Sequence, residues 1–326
     1  MRAFRYTLFL VQTIKEPCVF KRLILCLGCC LLVGVVQARD LVIAFENTLQ
    51  ASTSLDGVAR SQMLVRNLAN AGAPQAMFLV KTYGLDDKGR KRLALYSDKG
   101  HLLVNAGHGH SLVTKSDLYA YEIGILKANR QLKRYPGYHK HVHFSYLHER
   151  GDKVLQAGLA EFLRDRGYQP AFTNPNPLRG TDAYLNQLYQ QKVRNNRRVD
   201  MDALENLYVD LVEKMMVAQD TPVFLMLGYR PPQVLVLQET DLSAYFIVPV
   251  IERLQARGYR LIAAERAFSD PVANPLMTGG FGSNTYWPVI TGMPDERTAY
   301  PRVLGARKAW LDSLIQQYIP ELLQQP

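Results

Sequence analysis

The sequence has 326 residues, of which 48% are hydrophobic and 21% are charged, and this ordinary globular composition excludes disordered, collagen-like and low-complexity classes. Lys and Arg outnumber Asp and Glu by 39 to 29; the excess is mostly dispersed, which is typical of a solvated surface and does not favour nucleic acid as a partner. All seven histidines lie between His101 and His148, so a catalytic scheme cannot draw a histidine from the C-terminal half.

The first 38 residues are typical of an export signal. A basic segment precedes the uncharged, mainly apolar run Leu23–Val36, and small residues around Ala38 suit cleavage there. The run is shorter than the roughly 18 residues of a spanning helix, so we expect a secreted or periplasmic protein that meets a membrane only if the signal stays uncleaved. All four cysteines fall in this segment, which excludes thiol chemistry from the exported chain. A weak lipobox at Leu27–Cys29 leaves a lipoprotein as the less favoured alternative.

Short apolar runs then alternate with helix-patterned segments, which is typical of a mainly parallel sheet wrapped by helices. Asp56 is expected to cap the first helix. The pattern predicts strands at residues 41–45, 75–81, 102–105, 142–147 and 171–173, and helices at 57–71, 115–132 and 152–166.

The C-terminal half continues this alternation. It predicts one long helical region at 182–217, strands at 233–237 and 259–263 and a helix at 244–257, with 222–227 ambiguous. Because no Pro/Gly/Ser-rich linker interrupts these units, we predict one barrel-like α/β domain with functional residues at the carboxyl ends of its strands. Residues 271–301 do not follow this alternation of strands and helices. They are predicted to form a segment that wraps the surface, before a last helix near 306–318.

Two segments carry a family resemblance. Phe144–Asp152 reads FSYLHERGD and is followed by AEFLRDRGY at Ala160–Tyr168, and Pro232–Leu237 reads PQVLVL. In these motifs the chain resembles the polysaccharide deacetylase family, the NodB-homology group of carbohydrate esterases. The resemblance implies a single (β/α) barrel-like domain at 39–270, preceded by the signal peptide at 1–38 and followed by a C-terminal segment at 271–326. The first motif departs from the family's pattern in having Ser145 for proline and one extra residue before Gly151.

In that family one Asp and two His hold a divalent metal, and a second Asp acts as the general base. Ala44–Thr48 corresponds to the first motif, so the resemblance places Glu46 at the base position and the uncharged Asn47 at a metal-ligand position. In the second motif one ligand position is Ala106 and the other is His110. His108 could substitute only if the glycines beside it re-aimed the backbone.

The remaining family positions are also substituted. His143 stands where the family has an arginine that orients the base, and Gln238 stands at the general-acid position. Asn176 stands where the family has an aspartate, and with Tyr146 and His148 of the best-matched motif it is expected to bind substrate.

Two further interpretations stay open. His139, His141 and His143 alternate along a predicted strand, which would place three imidazoles on one face as a metal-binding triplet or leave them at a solvated strand entrance. Glu46 is either a general base or an ordinary strand-end carboxylate paired with a lysine.

The substitutions together favour a degenerate member without a cofactor, a pseudoenzyme that binds a polysaccharide, an acetylated glycan or an envelope protein partner. The alternative is an active hydrolase that removes N- or O-acetyl groups, with Glu46 as base and His110, assisted by His108, on zinc, cobalt or nickel.

Overall fold

The computed structural model describes residues 39–49, 54–109, 118–143, 153–171, 173–174, 178–270 and 300–324. Chain contacts separate Met1–Ala38 from Arg39–Pro326, and the description concerns the second unit. Its strands are β1 (Arg39–Glu46), β2 (Met77–Val80), β3 (Leu102–Asn105), β4 (Tyr138–Val142), β5 (Gln169–Pro170), β6 (Gln233–Gln238) and β7 (Tyr259–Leu261). Its helices are α1 (Gly57–Asn70), α2 (Asp87–Asp98), α3 (Leu118–Leu132), α4 (Lys153–Asp165), α5 (Thr181–Arg194), α6 (Met201–Leu227), α7 (Asp241–Ala256), α8 (Ala264–Ala267) and α9 (Tyr300–Tyr318), with a 3₁₀ turn at Pro320–Leu322.

All pairings between the described strands are parallel, in the order β5-β4-β3-β2-β1-β6. The short β7 pairs with the first residues of β1, from Arg39 to Leu41. The sheet curls into a half-barrel with helices around it, which confirms the predicted α/β barrel-like class. Because every strand runs in the same direction, all carboxyl ends reach one rim of the half-barrel.

Side chains from outside the sheet cover the edge of β6. The Val234 N–H donates to Asn174 Oδ1 at 2.5 Å, and the Gln238 N–H donates to Asp182 Oδ2 at 2.6 Å. An uncovered strand edge presents unpaired backbone groups, so these two side chains take the place of a neighbouring strand.

The sheet is buried on both faces, which explains its almost continuous apolar strands. On β1, Leu41, Ile43 and Phe45 enter the larger core under the helices, while Val42 and Ala44 face the interior of the half-barrel. The larger core also receives side chains of α9 and the 3₁₀ turn, so the C-terminal helix packs with the rest of the described chain. In the part of the chain that the structure describes, no helix has both the length and the apolar character of a membrane span.

Most predicted elements are present, and Asp56 caps α1 by accepting the Val58 N–H at 3.1 Å. Helix α2 was not predicted, because its strongly charged sequence dilutes its apolar periodicity. The predicted long helix is wrong as a single element: α5 and α6 are separate, and Asn196 between them adopts a positive φ of 52°. The ambiguous run at 222–227 is the end of α6. The strand predicted at 142–147 begins earlier, at Tyr138, and the wrapping segment at 271–299 lies outside the described residues.

Candidate ligand-binding site

Polar side chains gather at the carboxyl rim of the sheet. Glu46 ends β1 and lies in register with Gln238, the last residue of β6. Lys81 follows β2, and His143 follows β4. Arg179 reaches the same place from the segment before α5, where Gly180 adopts a φ of +86° that lets the chain turn into the helix.

The carboxylate of Glu46 is held on both oxygens. Arg179 Nε donates to Oε1 at 3.1 Å, and Arg179 Nη2 donates to Oε2 at 2.5 Å. Gln238 Nε2 also donates to Oε1, and Gln238 Oε1 in turn accepts a hydrogen bond from Asn47 Nδ2. Both side chains of the salt bridge are largely covered, with 20% of Glu46 and 25% of Arg179 exposed. The hydrogen-bonded partner of Glu46 is therefore an arginine, where the sequence left a lysine as the alternative to a catalytic role.

Opposing effects set the pKa of Glu46. Burial raises the pKa, but the charge and hydrogen bonds of Arg179, together with smaller contributions from His143 and Gln238, bring it below the ordinary value. A general base works best with a pKa near the operating pH and with a lone pair directed at the substrate. Glu46 is therefore arranged as a hydrogen-bond acceptor that is ionised at neutral pH.

His143 is buried beside this salt bridge. Its Nδ1 lies 3.2 Å from the carbonyl oxygen of Ala171, and its Nε2 has no partner among the described residues. Burial, helped by the charge of Arg179, lowers the pKa of His143 to about 4. The ring is thus neutral at pH 7, with Nδ1–H donated to the carbonyl and Nε2 left as an acceptor.

His143 stands at the position of the family's base-orienting arginine, and the structure places a different arginine on the Glu46 carboxylate. His143 does lie close enough to Glu46 to interact with it, but Arg179 makes the hydrogen bonds that orient the carboxylate. Sequence analysis missed Arg179, which is 133 residues from its partner and belongs to no recognised motif.

Lys81 completes a cluster of four ionisable groups. Burial lowers its pKa, Glu46 opposes that effect and Arg179 adds to it. Glu46, Lys81, His143 and Arg179 interact electrostatically in every pairwise combination. The position of Lys81 directly after a buried strand was the only sequence signal for it.

A second polar network lies behind the rim. Glu239, next to Gln238, turns into the protein, where its carboxylate lies 3.2 Å from Arg60 Nε and 2.5 Å from Arg92 Nη2. Arg60 also pairs with Asp241 at 3.3 Å. All four side chains are almost fully buried, so removing one partner would leave an uncompensated charge. These salt bridges connect the end of β6 and the start of α7 with α1 and α2.

Asp182, at the start of α5, is buried below the site. Burial raises its pKa to about 6, while hydrogen bonds from the backbone N–H groups of Gln238 and Ala183 oppose the rise. Its Oδ1 and the hydroxyl of the nearby Tyr208 have no hydrogen-bond partner among the described residues. Asp182 fixes the backbone of Gln238, and the sequence analysis did not single it out.

His108 is directed away from the Glu46 cluster. His108 Nδ1 lies 2.9 Å from Thr82 Oγ1, and the ring lines a separate cavity of about 350 Å³ with Tyr83, Tyr121 and Lys127. Glu46 is absent from the lining of that cavity. The backbone does not re-aim His108 toward the Glu46 cluster.

The imidazole triplet is not formed as expected. Leu103 pairs with Tyr138 and Asn105 with Val142, so β4 bulges, and Lys140 has a positive φ of 57°. This bulge interrupts the alternation on which the expectation rested. His139 bonds to Glu265 at the surface, and His141 packs against Phe268 with ring centroids 4.9 Å apart.

His110, Tyr146, His148 and Asn176 lie outside the described residues. Within the described ranges, no three His, Cys, Asp or Glu side chains come together as a metal-binding set. Both oxygens of Glu46 accept hydrogen bonds, and the amide of Asn47 bonds to Gln238. The described residues of this rim therefore do not fit the divalent metal that the family resemblance implies.

No protein-family model matches the chain, and no curated protein matches it in sequence. Solved structures that are similar to it include a polysaccharide deacetylase from Bacillus cereus, at 14% identity and a TM-score of 0.47, covering 69% of this chain and 91% of that one. A family 4 acetyl xylan esterase from Clostridium thermocellum in complex with a cobalt ion has 12% identity and a TM-score of 0.45, covering 71% and 91%.

A CE4 family pseudoenzyme from Bacillus anthracis is also similar, at 9% identity and a TM-score of 0.45, covering 69% of this chain and 63% of that one.

Proposed function

We propose that this chain is an exported, polysaccharide deacetylase-like protein that has lost metal-dependent hydrolysis and binds a glycan at the carboxyl rim of its sheet. The observation that carries the proposal is the state of Glu46, the residue at the family's base position. Its two oxygens accept three hydrogen bonds from Arg179 and Gln238, and its pKa is lowered.

The loss of catalysis follows from two positions. A carboxylate that accepts three hydrogen bonds from charged and amide donors is a weak base, because protonation would weaken those bonds. At the general-acid position, Gln238 carries an amide that has no proton to give at neutral pH, and this amide is itself bonded to Glu46 and Asn47. Neither Glu46 nor Gln238, the residues at the family's two proton-transfer positions, is therefore arranged to perform its transfer.

The rim nevertheless suits a polar ligand. It combines the cations of Lys81 and Arg179 with the acceptor nitrogen of His143, on a rigid sheet edge. A few convergent polar groups on a fixed scaffold are the usual means of orienting a ligand. A glycan, which carries many hydroxyl donors and acceptors, is the ligand class that the family resemblance implies.

The decisive experiment compares hydrolysis with binding. Purified protein, Glu46→Gln and His143→Gln are assayed for acetate release from acetylated xylo- and chito-oligosaccharides with zinc, cobalt or nickel, beside an active deacetylase. We expect all three to remain at background while the unmodified protein binds oligosaccharide in calorimetry. Metal-dependent acetate release by the unmodified protein that disappears in Glu46→Gln would contradict the proposal.

A metal-dependent hydrolase is the second candidate, and the geometry of His143 favours it. Donation of Nδ1–H to a carbonyl with Nε2 left available is the arrangement of many metal-binding imidazoles. The metal content of the protein after loading and desalting tests this candidate, with His110→Ala and His143→Ala as comparisons. Near-stoichiometric zinc, cobalt or nickel that both variants lose would support it.

Export is a separate part of the proposal and has its own measurement. The basic and apolar pattern before Arg39 supports it. The N-terminal sequence of protein recovered from the periplasm or medium is expected to begin at Arg39. Recovery of the intact chain in the cytoplasm would contradict export without affecting the proposal for the rim.

A further inference from the structure

A second cavity opens at the carboxyl rim of the sheet, between the segments that follow β2 and β3 and one side of α3. Its volume is about 350 Å³, and its lining includes Tyr83, His108, Gly109, Gly124 and Lys127. This volume falls within the range of ligand pockets, which is roughly 300–1,000 Å³. No member of the Glu46 cluster is among its described lining residues. We call it the Tyr83 cavity.

We propose that the Tyr83 cavity is a sugar-binding subsite that takes one neutral pyranose unit, which stacks on Tyr83 and forms a hydrogen bond with His108. The inference rests on the proposed glycan-binding function and extends it, because a ligand that fills both places is a chain of sugar units and not a single sugar.

Tyr83 supplies the stacking surface. It is 76% exposed, and its ring meets the imidazole of His108 with centroids 6.0 Å apart and planes at 78°. This contact orients the ring while most of its surface stays in solvent. The C–H groups on the flat side of a pyranose carry partial positive charge, and the negative face of an aromatic ring attracts such groups. Covering the exposed ring also removes apolar surface from water.

His108 supplies a hydrogen-bonding nitrogen in a fixed position. Its Nδ1 lies 2.9 Å from Thr82 Oγ1, and the Thr82 N–H donates to the carbonyl oxygen of Gly107 at 3.1 Å. These two bonds join the segments after β2 and β3 and hold the imidazole. Its Nε2 has no hydrogen-bond partner among the described residues. A sugar hydroxyl can donate or accept, so it can pair with Nε2 in either tautomer of the ring.

Glycines keep the cavity open. Gly124 lies in the interior of α3, where glycine weakens a helix relative to alanine. A Cβ at Gly124 would meet only the backbone nitrogen of His108, at 3.8 Å, and a Cβ at Gly109 would meet no described atom within 4 Å. Packing against a neighbouring element therefore does not require glycine at either position. The missing side chains leave space that a ligand can occupy.

The charge of the lining favours a neutral sugar unit. Lys127 is the one Lys, Arg, Asp or Glu in the described lining, and it is exposed to solvent, where salt screens its charge. The remaining contacts come from an aromatic ring, an imidazole and apolar or glycine positions.

The chain itself connects the Tyr83 cavity to the Glu46 cluster. Tyr83 follows Lys81 by two residues, so their Cα atoms are at most about 7 Å apart. A glycan that occupies the cluster can therefore place a neighbouring sugar unit in the cavity.

The test measures binding by calorimetry with N-acetylglucosamine, xylose and the β-1,4-linked tetramer of each. The stacking ring is tested with Tyr83→Ala, beside the conservative Tyr83→Phe. Tyr119→Ala is the matched control, because Tyr119 is equally exposed, at 75%, and is absent from the cavity lining. Gly124→Leu, which fills the cavity, is compared with Gly124→Ala. Circular dichroism checks that each variant is folded.

We expect a tetramer to bind more tightly than its monomer. Tyr83→Ala and Gly124→Leu should each weaken tetramer binding about tenfold, which is the size expected for the loss of one aromatic contact. Tyr83→Phe, which keeps the ring, and Gly124→Ala, which adds only a Cβ, should lose much less. Tyr119→Ala should bind the tetramer as the unmodified protein does.

Three results would overturn the inference. Unchanged tetramer binding in Tyr83→Ala and Gly124→Leu, together with loss of binding in His143→Gln, would remove the subsite and leave the proposed glycan-binding function intact. An equal loss in Tyr83→Ala and Tyr119→Ala would place the sugar outside the cavity. A complete absence of binding to both tetramers and to their acetylated forms would contradict both proposals.

Discussion

The pKa values of Glu46 and Asp182 are shifted in opposite directions because the two carboxyl groups have different hydrogen-bond partners. Glu46 has a lowered pKa, since the guanidinium of Arg179 outweighs the effect of burial. Asp182, a short distance behind it, has only backbone N–H groups against its burial, and its pKa rises to about 6. The first group is a fixed charge of the site, and the second carries a proton under mildly acidic conditions.

Asp182→Asn is expected to change the pH dependence of stability. The folded protein holds the Asp182 proton up to about pH 6, against an ordinary pKa of 3.8, so this group makes the free energy of unfolding fall as pH rises through that window. The full effect is roughly 3 kcal/mol. The amide oxygen that the substitution introduces can still accept the Gln238 N–H.

Urea unfolding at pH 4.5, 6 and 8 measures this prediction. Relative to the unmodified protein, Asp182→Asn should gain stability mainly between pH 4.5 and 6, with only a small further gain by pH 8. The exposed Asp165→Asn is the control and should show no such trend. A constant difference between Asp182→Asn and the unmodified protein at all three pH values would mean that Asp182 is already ionised at pH 4.5.

At the scale of single elements, two side chains from other segments bind the exposed edge of β6. The edge of β6 has Asn174 on the Val234 N–H and Asp182 on the Gln238 N–H, so residues after β5 and at the start of α5 hold the strand that bears Gln238. Because β6 lies in register with β1, these two hydrogen bonds also maintain the alignment of Gln238 with Glu46. The edge of the sheet therefore contributes to the geometry of the site.

Removing Asn174 should destabilise this edge. Asn174→Ala leaves the buried Val234 N–H without an acceptor, and we expect a loss of about 1–3 kcal/mol in the free energy of unfolding. Asn206→Ala is the control, because Asn206 donates to a backbone oxygen on an exposed helix face and should cost under about 0.5 kcal/mol. Equal losses in the two variants by urea unfolding would show that Asn174 contributes nothing specific.

At the scale of the whole molecule, the described part of the second unit shares its main core with its C-terminal helix. Leu311, Leu314 and Ile315 of α9 enter the cluster that contains Leu41 and Phe45 of β1. The sequence assigned residues 271–326 to a segment after the barrel domain, and the packing makes the last helix part of the same hydrophobic core. We therefore expect α9 to unfold together with the sheet.

Ile315→Ala tests this shared core. Truncation of a fully buried isoleucine should cost about 2–5 kcal/mol in a single cooperative transition. The exposed neighbour Gln316→Ala provides the control and should leave the midpoint almost unchanged. A separate early transition in Ile315→Ala, with the main transition unaffected, would show that α9 folds independently.

The sequence by itself determined the features that depend on neighbouring residues. The apolar runs of β1, β3 and β6 predicted buried parallel strands, and Asp56 predicted the start of α1. The family resemblance directed attention to Glu46, Asn47, His143 and Gln238. Local periodicity and capping suffice for such features because hydrogen bonds within a helix and alternation along a strand connect residues that are close in sequence.

Only the tertiary structure decided which charges meet. Arg179, Lys81 and Glu46 come from three distant segments, and their contact depends on parallel strands ending at one rim. The bulge at Lys140 likewise redirects His139 and His141 away from His143. A pattern along the chain carries no information about these encounters, because the free energy of a charge pair depends on the separation and burial of its partners in the folded protein.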